Sequence, residues 1–494
     1  MEPRTGRLHR GLLSLMGLAG RPFLAATMSL LASCAVSPGS DIGALGPIPP
    51  LSSSGRWLTD ATGRVVVLHG FNEVAKSPPF YPAAFGFGDD DVAFLEQEGF
   101  NAVRLGVEFQ GLMPVPGQVD ESYIEHLAES VDALARHRLF VLLEFHQDGF
   151  GPFFRGNGFP DWMAITDRLP NPPEATFPLF YVQNPALQRA FEHFWANSPG
   201  PNRIGLQEYF VQGLERLVRR FSPNPWVLGY ELMNEPWPGA NWEPCLLPDV
   251  GCPELEHALL MPFYQRAAAA ARRIAPNQLV FVEPFVLFNF GRSETTLPGF
   301  ASGTALSFHS YASDVAGEES VLARAVAAAE RDQAPVLVTE FGSTLDPVEL
   351  NRLAGQIESR RLSWLEWAYN ESIIEDPLRP AGPDNLRSRE AFAALVRPYP
   401  MAVAGTPTTI AFDPTTKMFV LTYDTVRPGG GRYSARLLTV VSVPERHYPG
   451  GYTVRVEGAT VVSAACASRL VLRNQPDART VSLRLTPGDR ACPA

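Results

Sequence analysis

Eight short apolar runs recur through the chain, at residues 65–72, 102–107, 139–146, 227–235, 279–284, 306–311, 336–341 and 362–369. Most are separated by stretches of helical periodicity, at 89–98, 124–136, 206–220, 255–274 and 319–331. Eight rounds of strand and helix predict an α/β fold, a closed parallel (β/α)8 TIM barrel. The 494 residues leave room for a second module beyond such a barrel. After Pro398 the helical patterns stop and short alternating runs follow, at 408–412, 418–423, 435–441, 452–456, 469–472 and 480–485. That pattern predicts a C-terminal antiparallel β-sandwich over 399–494, with the barrel over 55–398.

The amino terminus has a different character. Arg4, Arg7 and Arg10 precede apolar stretches that lead to Cys34, and neither stretch reaches the length of a membrane-spanning helix. Residues 1–33 therefore read as an export signal. The segment Leu31-Ala32-Ser33-Cys34 resembles the lipobox of bacterial lipoproteins, which implies lipidation at Cys34, a membrane surface as partner and a place in the bacterial cell envelope; an ordinary signal and free secretion is the alternative. Residues 34–54, rich in Gly, Pro and Ser over most of their length, would be the tether. Of five cysteines, the four after Cys34 form an even set in an exported chain, and their positions pair them locally as Cys245 with Cys252 and Cys466 with Cys492. Zinc suits them poorly, because no His stands at ligand spacing beside either pair. A net charge of −11 argues against nucleic acid as a partner.

Two of the barrel runs end on a carboxylate where the chain leaves the core. One is 228–236, ending in Asn234-Glu235-Pro236, and the other is 335–342, ending in Glu340-Phe341-Gly342. The two glutamates stand 340 − 235 = 105 positions apart, room for three strand-and-helix units. Barrel enzymes carry their chemistry at the carboxyl ends of the strands. Paired carboxylates there suit glycoside hydrolysis, in which one protonates the leaving oxygen and the other attacks the anomeric carbon. Glu108, Glu144, Glu231 and Glu283 also stand near strand ends and are rivals. Glu231, four residues before Glu235, lies deeper and is expected to pair with a buried cation.

On these motifs the chain resembles glycoside hydrolase family 5, whose members are retaining enzymes on this barrel. The resemblance implies that Glu235 is the general acid/base and Glu340 the nucleophile, with no metal or organic cofactor. It matches Arg104 to the family's second-strand arginine, His146 to its third-strand histidine, His309 and Tyr311 to its sixth-strand pair and Trp367 to its eighth-strand tryptophan. Asn234 would hold the 2-hydroxyl of the transferred sugar. Within the family, His146-Gln147-Asp148, His69-Gly70-Phe71-Asn72 and Ala75-Lys76 are similar to the endoglycoceramidases, which cut an intact glycan from ceramide. By that match Lys76 and Asp148 would bind the sugar nearest the ceramide.

The substrate implied is a glycosphingolipid, handled by a monomer. Its alkyl chains would give a reason for the aromatic loops: Phe150, Phe153, Phe154, Phe159, Trp162, Phe177 and Phe180 within 148–205, and Phe285, Phe288 and Phe290 after the fifth run. Those rings would either pack the loops onto the barrel or line an apolar slot. The alternatives are a family 5 endoglucanase or mannanase, an exo-acting glucosylceramidase, and a non-catalytic glycolipid-binding lipoprotein; both carboxylates being present speaks against the last.

Overall fold

The computed structural model describes residues 46–247, 252–299 and 303–488. The expected export signal and Cys34 lie outside them. Eight parallel strands close into a barrel: β1 (His69–Glu73), β2 (Ala102–Glu108), β3 (Phe140–His146), β4 (Val227–Glu231), β5 (Leu279–Val282), β6 (Thr304–Ser310), β7 (Val336–Phe341) and β8 (Ser363–Glu366). Each pairs with the next in sequence, and β8 returns to β1 through Trp364 opposite His69. Helices cover the outside, among them Glu121–Arg136, Leu206–Phe221, Met261–Ile274, Val315–Asp332 and Pro347–Ser359.

Alternation along each strand sorts the side chains. On β2, Val103, Leu105 and Val107 face the helices, while Ala102 and Arg104 point inward. The lower interior is apolar, formed by residues such as Ala102, Phe140, Leu228 and Leu337, and Leu51, Leu58, Val66 and Leu68 pack onto it. The next inward positions are Arg104, Glu144, Glu231, Glu283 and His309, all buried. The barrel thus passes from an apolar floor to a polar layer beneath its carboxyl-end face.

Several expected boundaries shift. The run at 65–72 is not one strand: Val65–Val66 belongs to a different sheet and only His69–Glu73 enters the barrel. The fourth run is strand only to Glu231, although Asn234 still donates its main-chain N–H to Phe145 at 3.0 Å before Glu235 turns to φ 40°. The eighth run is strand only to Glu366, which places Trp367 on the loop above. Within 148–205, where no helical stretch is read from the sequence, Pro185–Trp195 is a helix capped by the Asn184 side chain.

The carboxyl-terminal half of the fold is a pair of antiparallel sheets, but it is not made from residues after 398 alone. Ser52–Ser54, Trp57–Thr59 and Val65–Val66 form one side of a seven-stranded sheet, joined to Tyr399–Val403, Leu438–Ser442, Arg469–Asn474 and Ala459–Val461. The second sheet has four strands, Thr406–Asp413, Met418–Asp424, Thr480–Pro487 and Tyr452–Glu457. The stretch assigned to the tether and the barrel's start therefore serves as sheet, because Val65 and Val67 pack into the sandwich core with Val403, Val440 and Leu472. Cys245 and Cys252 form a disulfide. Cys466 is also disulfide-bonded, and its expected partner Cys492 lies outside the described residues.

Arg64 fastens this amino-terminal stretch. Fully buried, it gives hydrogen bonds to Asp60 at 2.7 and 2.9 Å and to the carbonyls of Leu438 and Gly46, each at 2.7 Å. Removing Asp60 would leave a buried cation without its counter-charge, which costs about 3–5 kcal/mol. Asp60→Ala is therefore expected to lower the urea midpoint sharply, and an unchanged midpoint would contradict this account.

Candidate active site

The organising side chain is Arg104. Its Nη1 donates to Glu340 Oε1 at 2.6 Å and to Asn72 Oδ1 at 2.9 Å, its Nε to Glu231 at 2.6 Å and its Nη2 to Asn234 Oδ1 at 2.8 Å. Glu144 lies 3.6 Å from the same guanidinium. Glu231 thus pairs with a buried cation, as expected from its depth. Asn72 also donates to the main-chain carbonyls of Thr339 and Glu366, tying the strand of Glu340 to its neighbours.

Around this centre the structure brings together the ten residues singled out from the sequence. Tyr311 donates its hydroxyl to Glu340 Oε2 at 3.1 Å. His309 Nδ1 lies 2.9 Å from Glu235 Oε1 and 3.3 Å from Glu340 Oε2. His146 bridges Glu144, at 2.7 Å, and Asp148, at 3.3 Å, and stacks on Trp367. Lys76 reaches Asp148 at 3.1 Å and Glu371 at 3.9 Å, with its ammonium 4.3 Å from the centre of the Trp367 ring.

Local backbone explains how the two carboxyls emerge. Glu235 sits at φ 40°, a left-handed conformation that non-glycine residues rarely adopt and that is held here by hydrogen bonds. Gln147 donates to the carbonyls of both Asn234 and Glu235, and Glu283 accepts the Glu235 N–H. Gly342 follows the strand of Glu340 at φ 90°, and a Cβ there would meet Glu366 at 2.8 Å, so only glycine fits.

Burial raises the Glu235 carboxyl to about 7, with the charge of Asp148 adding to it. It also raises Glu340, but the Arg104 guanidinium opposes the rise. Arg104 touches Glu340 directly and Glu235 not at all, so Glu340 is the stronger acid and Glu235 keeps the proton. Burial lowers His309 to about 4, leaving it neutral. At His146 burial also disfavours charge, but Glu144 and Asp148 outweigh it and push the ring up to about 10. Lys76 and Asp148 hold each other charged despite their burial.

The rivals take other roles. Glu144 holds His146 and faces Arg104, Glu108 accepts from Gln110 and the Gly158 N–H, and Glu283 lies behind Glu235. Sequence reasoning missed Asn72 as the support of Arg104, and it missed Asn289, which donates to Glu283 at 2.9 Å and approaches Glu235 at 3.3 Å. Asn289 carried no signal, because its short helix is brought to the site only by the closed barrel. Glu235, His309 and Glu340 offer three ligand atoms within 4.8 Å of one another, enough in number for a cation, but the Arg104 guanidinium already supplies the positive charge there.

The cleft above these residues has a volume of about 640 Å³. Lys76, His146, Asp148, Asn234 and Trp367 line it together with Arg155, Asn157, Phe177, Pro178, Phe180 and Phe290. The aromatic loop residues divide between both expected roles. Phe150, Phe154, Phe159 and Phe180 are buried and pack the loop onto the barrel, whereas Phe177 is 61 % exposed and Phe290 40 % exposed at the cleft.

An eight-stranded barrel with two carboxyls facing each other on its carboxyl-end face is an arrangement suited to a glycosidase. Residues 59–373 match the Cellulase (glycosyl hydrolase family 5) family and residues 397–485 the Glycoside hydrolase family 5 C-terminal domain. The chain belongs to glycoside hydrolase family 5. It is similar to Endoglycoceramidase I of Rhodococcus hoagii, 32 % identical over 441 residues that cover 85 % of this chain and 84 % of that protein. Its fold is similar to Endo-glycoceramidase II from Rhodococcus sp. solved as a lactosyl-enzyme intermediate, with a TM-score of 0.71, 26 % identity, and 88 % of this chain and 100 % of that one covered. The ganglioside GM3 complex of that enzyme also has a TM-score of 0.71, at 25 % identity, covering 87 % of this chain and 99 % of that one.

If Glu235 is the proton donor, kcat/KM is expected to fall as pH rises through about 7. Protonation of Glu340 sets the acid limb. The measurement is a pH–rate profile on a soluble aryl β-lactoside; a flat profile to pH 9 would contradict the assignment.

Proposed function

We propose that the protein is a retaining endo-acting glycosidase that hydrolyses the bond between the oligosaccharide and the ceramide of glycosphingolipids. The observation that carries this reading is a carboxyl pair whose oxygens approach within 4.8 Å, set in a cleft lined both by polar side chains such as Lys76, His146 and Asp148 and by Phe177, Phe180 and Phe290. Carboxyl groups about 5–5.5 Å apart suit attack by one of them, whereas about 6.5–9.5 Å leaves room for the water of an inverting enzyme.

Glu340 attacks the anomeric carbon while Glu235 gives its proton to the ceramide oxygen, releasing ceramide and leaving the glycan esterified on Glu340. Glu235, now ionised, takes a proton from water, which attacks the same carbon and frees Glu340. The Asn234 amide accepts from Arg104 through its oxygen and gives one N–H to the Gln147 carbonyl, so one N–H remains for the 2-hydroxyl of the sugar. Trp367 forms an aromatic floor under the ring, and Asp148 and Lys76 supply an acceptor and donors beside it. Phe177 and Phe290 suit alkyl chains better than a second sugar.

Export and lipidation at Cys34 belong to the same reading. They rest on the amino-terminal sequence, and an anchor there would hold the enzyme beside an amphiphilic substrate. Among the described residues no helix is long and apolar enough to cross a membrane.

Glu340→Gln is expected to reduce turnover at least about 1,000-fold while leaving the melting transition in place, as loss of a covalent nucleophile does. Mass analysis of products from ganglioside, lactosylceramide, glucosylceramide and cellulose should show an intact oligosaccharide and ceramide from the first two. Release of single sugars would favour a glucosylceramidase, and cleavage of cellulose alone an endoglucanase. Burying a phenylalanine contributes about 1.5–3 kcal/mol. Phe177→Ser and Phe290→Ser are therefore expected to raise KM roughly tenfold for a glycosphingolipid and to leave KM for a soluble aryl lactoside nearly unchanged.

A further inference from the structure

Behind the acid/base carboxyl lies a second one that no chemical step uses. Glu283 follows β5 and is fully buried. Its Oε2 accepts the Glu235 main-chain N–H at 2.9 Å, and its Oε1 accepts from Asn289 at 2.9 Å. The same Oε1 faces His309 Nε2 at 3.6 Å, and that nitrogen is buried without a hydrogen-bond partner. On its other edge His309 presents Nδ1 to both Glu235 and Glu340.

A neutral imidazole holds one proton, and the partner of one nitrogen decides which nitrogen has it. With the proton on Nε2, the Nδ1 lone pair would draw the Glu235 proton away from the leaving oxygen. With the proton on Nδ1, His309 is a donor to the two carboxyls. We infer that Glu283 is a positioning residue for Glu235: as a neutral carboxyl it donates a hydrogen bond to His309 Nε2, fixes the histidine proton on Nδ1 and so lets one N–H serve Glu340 and Glu235 in turn.

The surroundings support a neutral Glu283. Burial raises it well above the ordinary carboxylate range, Glu231 and Glu235 reinforce the rise, and Arg104 opposes it. The Tyr264 hydroxyl donates to the Glu283 main-chain carbonyl at 2.8 Å, while the charges of Glu340 on the adjacent strand and of Glu231 and Glu144 across the barrel act on His309 and Arg104 opposes them. The separation of 3.6 Å exceeds a formed hydrogen bond, and such contacts in empty active sites commonly tighten once substrate is bound. Over the cycle the donor is used where charge resides. Glu340 is ionised before attack, and once it is esterified the charge has passed to Glu235, still 2.9 Å from Nδ1 in this structure. No proton leaves Glu283.

This rests on Glu235 and Glu340 being the acid/base and nucleophile, and not on ceramide as leaving group, so an aryl β-lactoside serves as probe. Absence of ceramide release with lactoside turnover intact would sink the substrate reading alone. Glu283→Gln keeps an acceptor for the Glu235 N–H and an N–H for His309 Nε2, though it loses the Asn289 contact. Glu283→Met fills a similar volume and keeps neither. Full-length Glu283→Met is expected to lose about 10- to 100-fold in kcat, within the range of proton-transfer effects, with KM little changed, and Glu283→Gln to recover most of that loss at similar melting temperature. Nitrogen-15 NMR of labelled histidine, with His309 identified through its own variant, should show Nε2 as the unprotonated nitrogen in the wild type. A proton on Nε2 would overturn the inference, as would equal activity of the two variants. If Glu283→Met does not fold, the wild-type histidine spectrum still decides.

Discussion

A guanidinium with no access to water stands at the centre of the barrel, and its demand for partners fixes the site. Arg104 has five donors in a rigid plane, and they reach side chains on β1, β7 and β4 and on the loop that follows β4. Leaving any donor unpaired in such a place is costly, so Asn72, Glu231, Asn234 and Glu340 are held where the fork points. A lysine offers a point charge on a flexible stem and could not set four partners on three sides at once. Position and ionisation of Glu340 therefore follow from one constraint, and the same constraint ties the strands of the upper barrel together.

The division of labour between the two carboxyls follows from what Arg104 does not reach. Glu235 has no cation in direct contact, and its neighbours are a neutral histidine, an amide and a second carboxyl. Burial there raises the carboxyl, and Asp148 adds to the rise. At Glu340 the same burial is met by a guanidinium at 2.6 Å. Two groups whose environments push them apart in this way make an acid and a nucleophile from identical side chains.

How much of this the sequence disclosed depended on whether the signal was local. A continuous apolar run ending on a carboxylate is local, so the eight strands, Glu235 and Glu340 were all legible, and the motifs around Arg104, His146, His309 and Trp367 placed the rest of the ten residues. The division of 65–72 between two sheets was not legible, because Val65 and Val67 are as apolar as any barrel residue and only Tyr399–Val403, more than 300 residues later, claims them for the sandwich. The helix Pro185–Trp195 was hidden in a stretch rich in turn residues. Asn289 and the function of Asn72 were invisible for a third reason: an asparagine acquires a role only when the closed barrel brings its amide to a carboxyl.

The aromatic loops show how far composition can be pressed. A count of 31 phenylalanines is compatible with an apolar slot and with well-packed loops, and the structure has both rings buried under the loops and rings exposed at the cleft. Phe150, Phe154, Phe159 and Phe180 form the rigid backing. That backing lets Phe177 remain exposed at the cleft without the loop collapsing over it, since the rings beneath already satisfy the loop's own need for burial. An exposed ring on a mobile loop would fold down onto the nearest apolar surface; one mounted on a packed layer stays available. The proposed fit to an alkyl leaving group therefore depends on the buried phenylalanines as much as on the two that a substrate would meet, and a substitution such as Phe180→Ala would reach the cleft through its effect on Phe177.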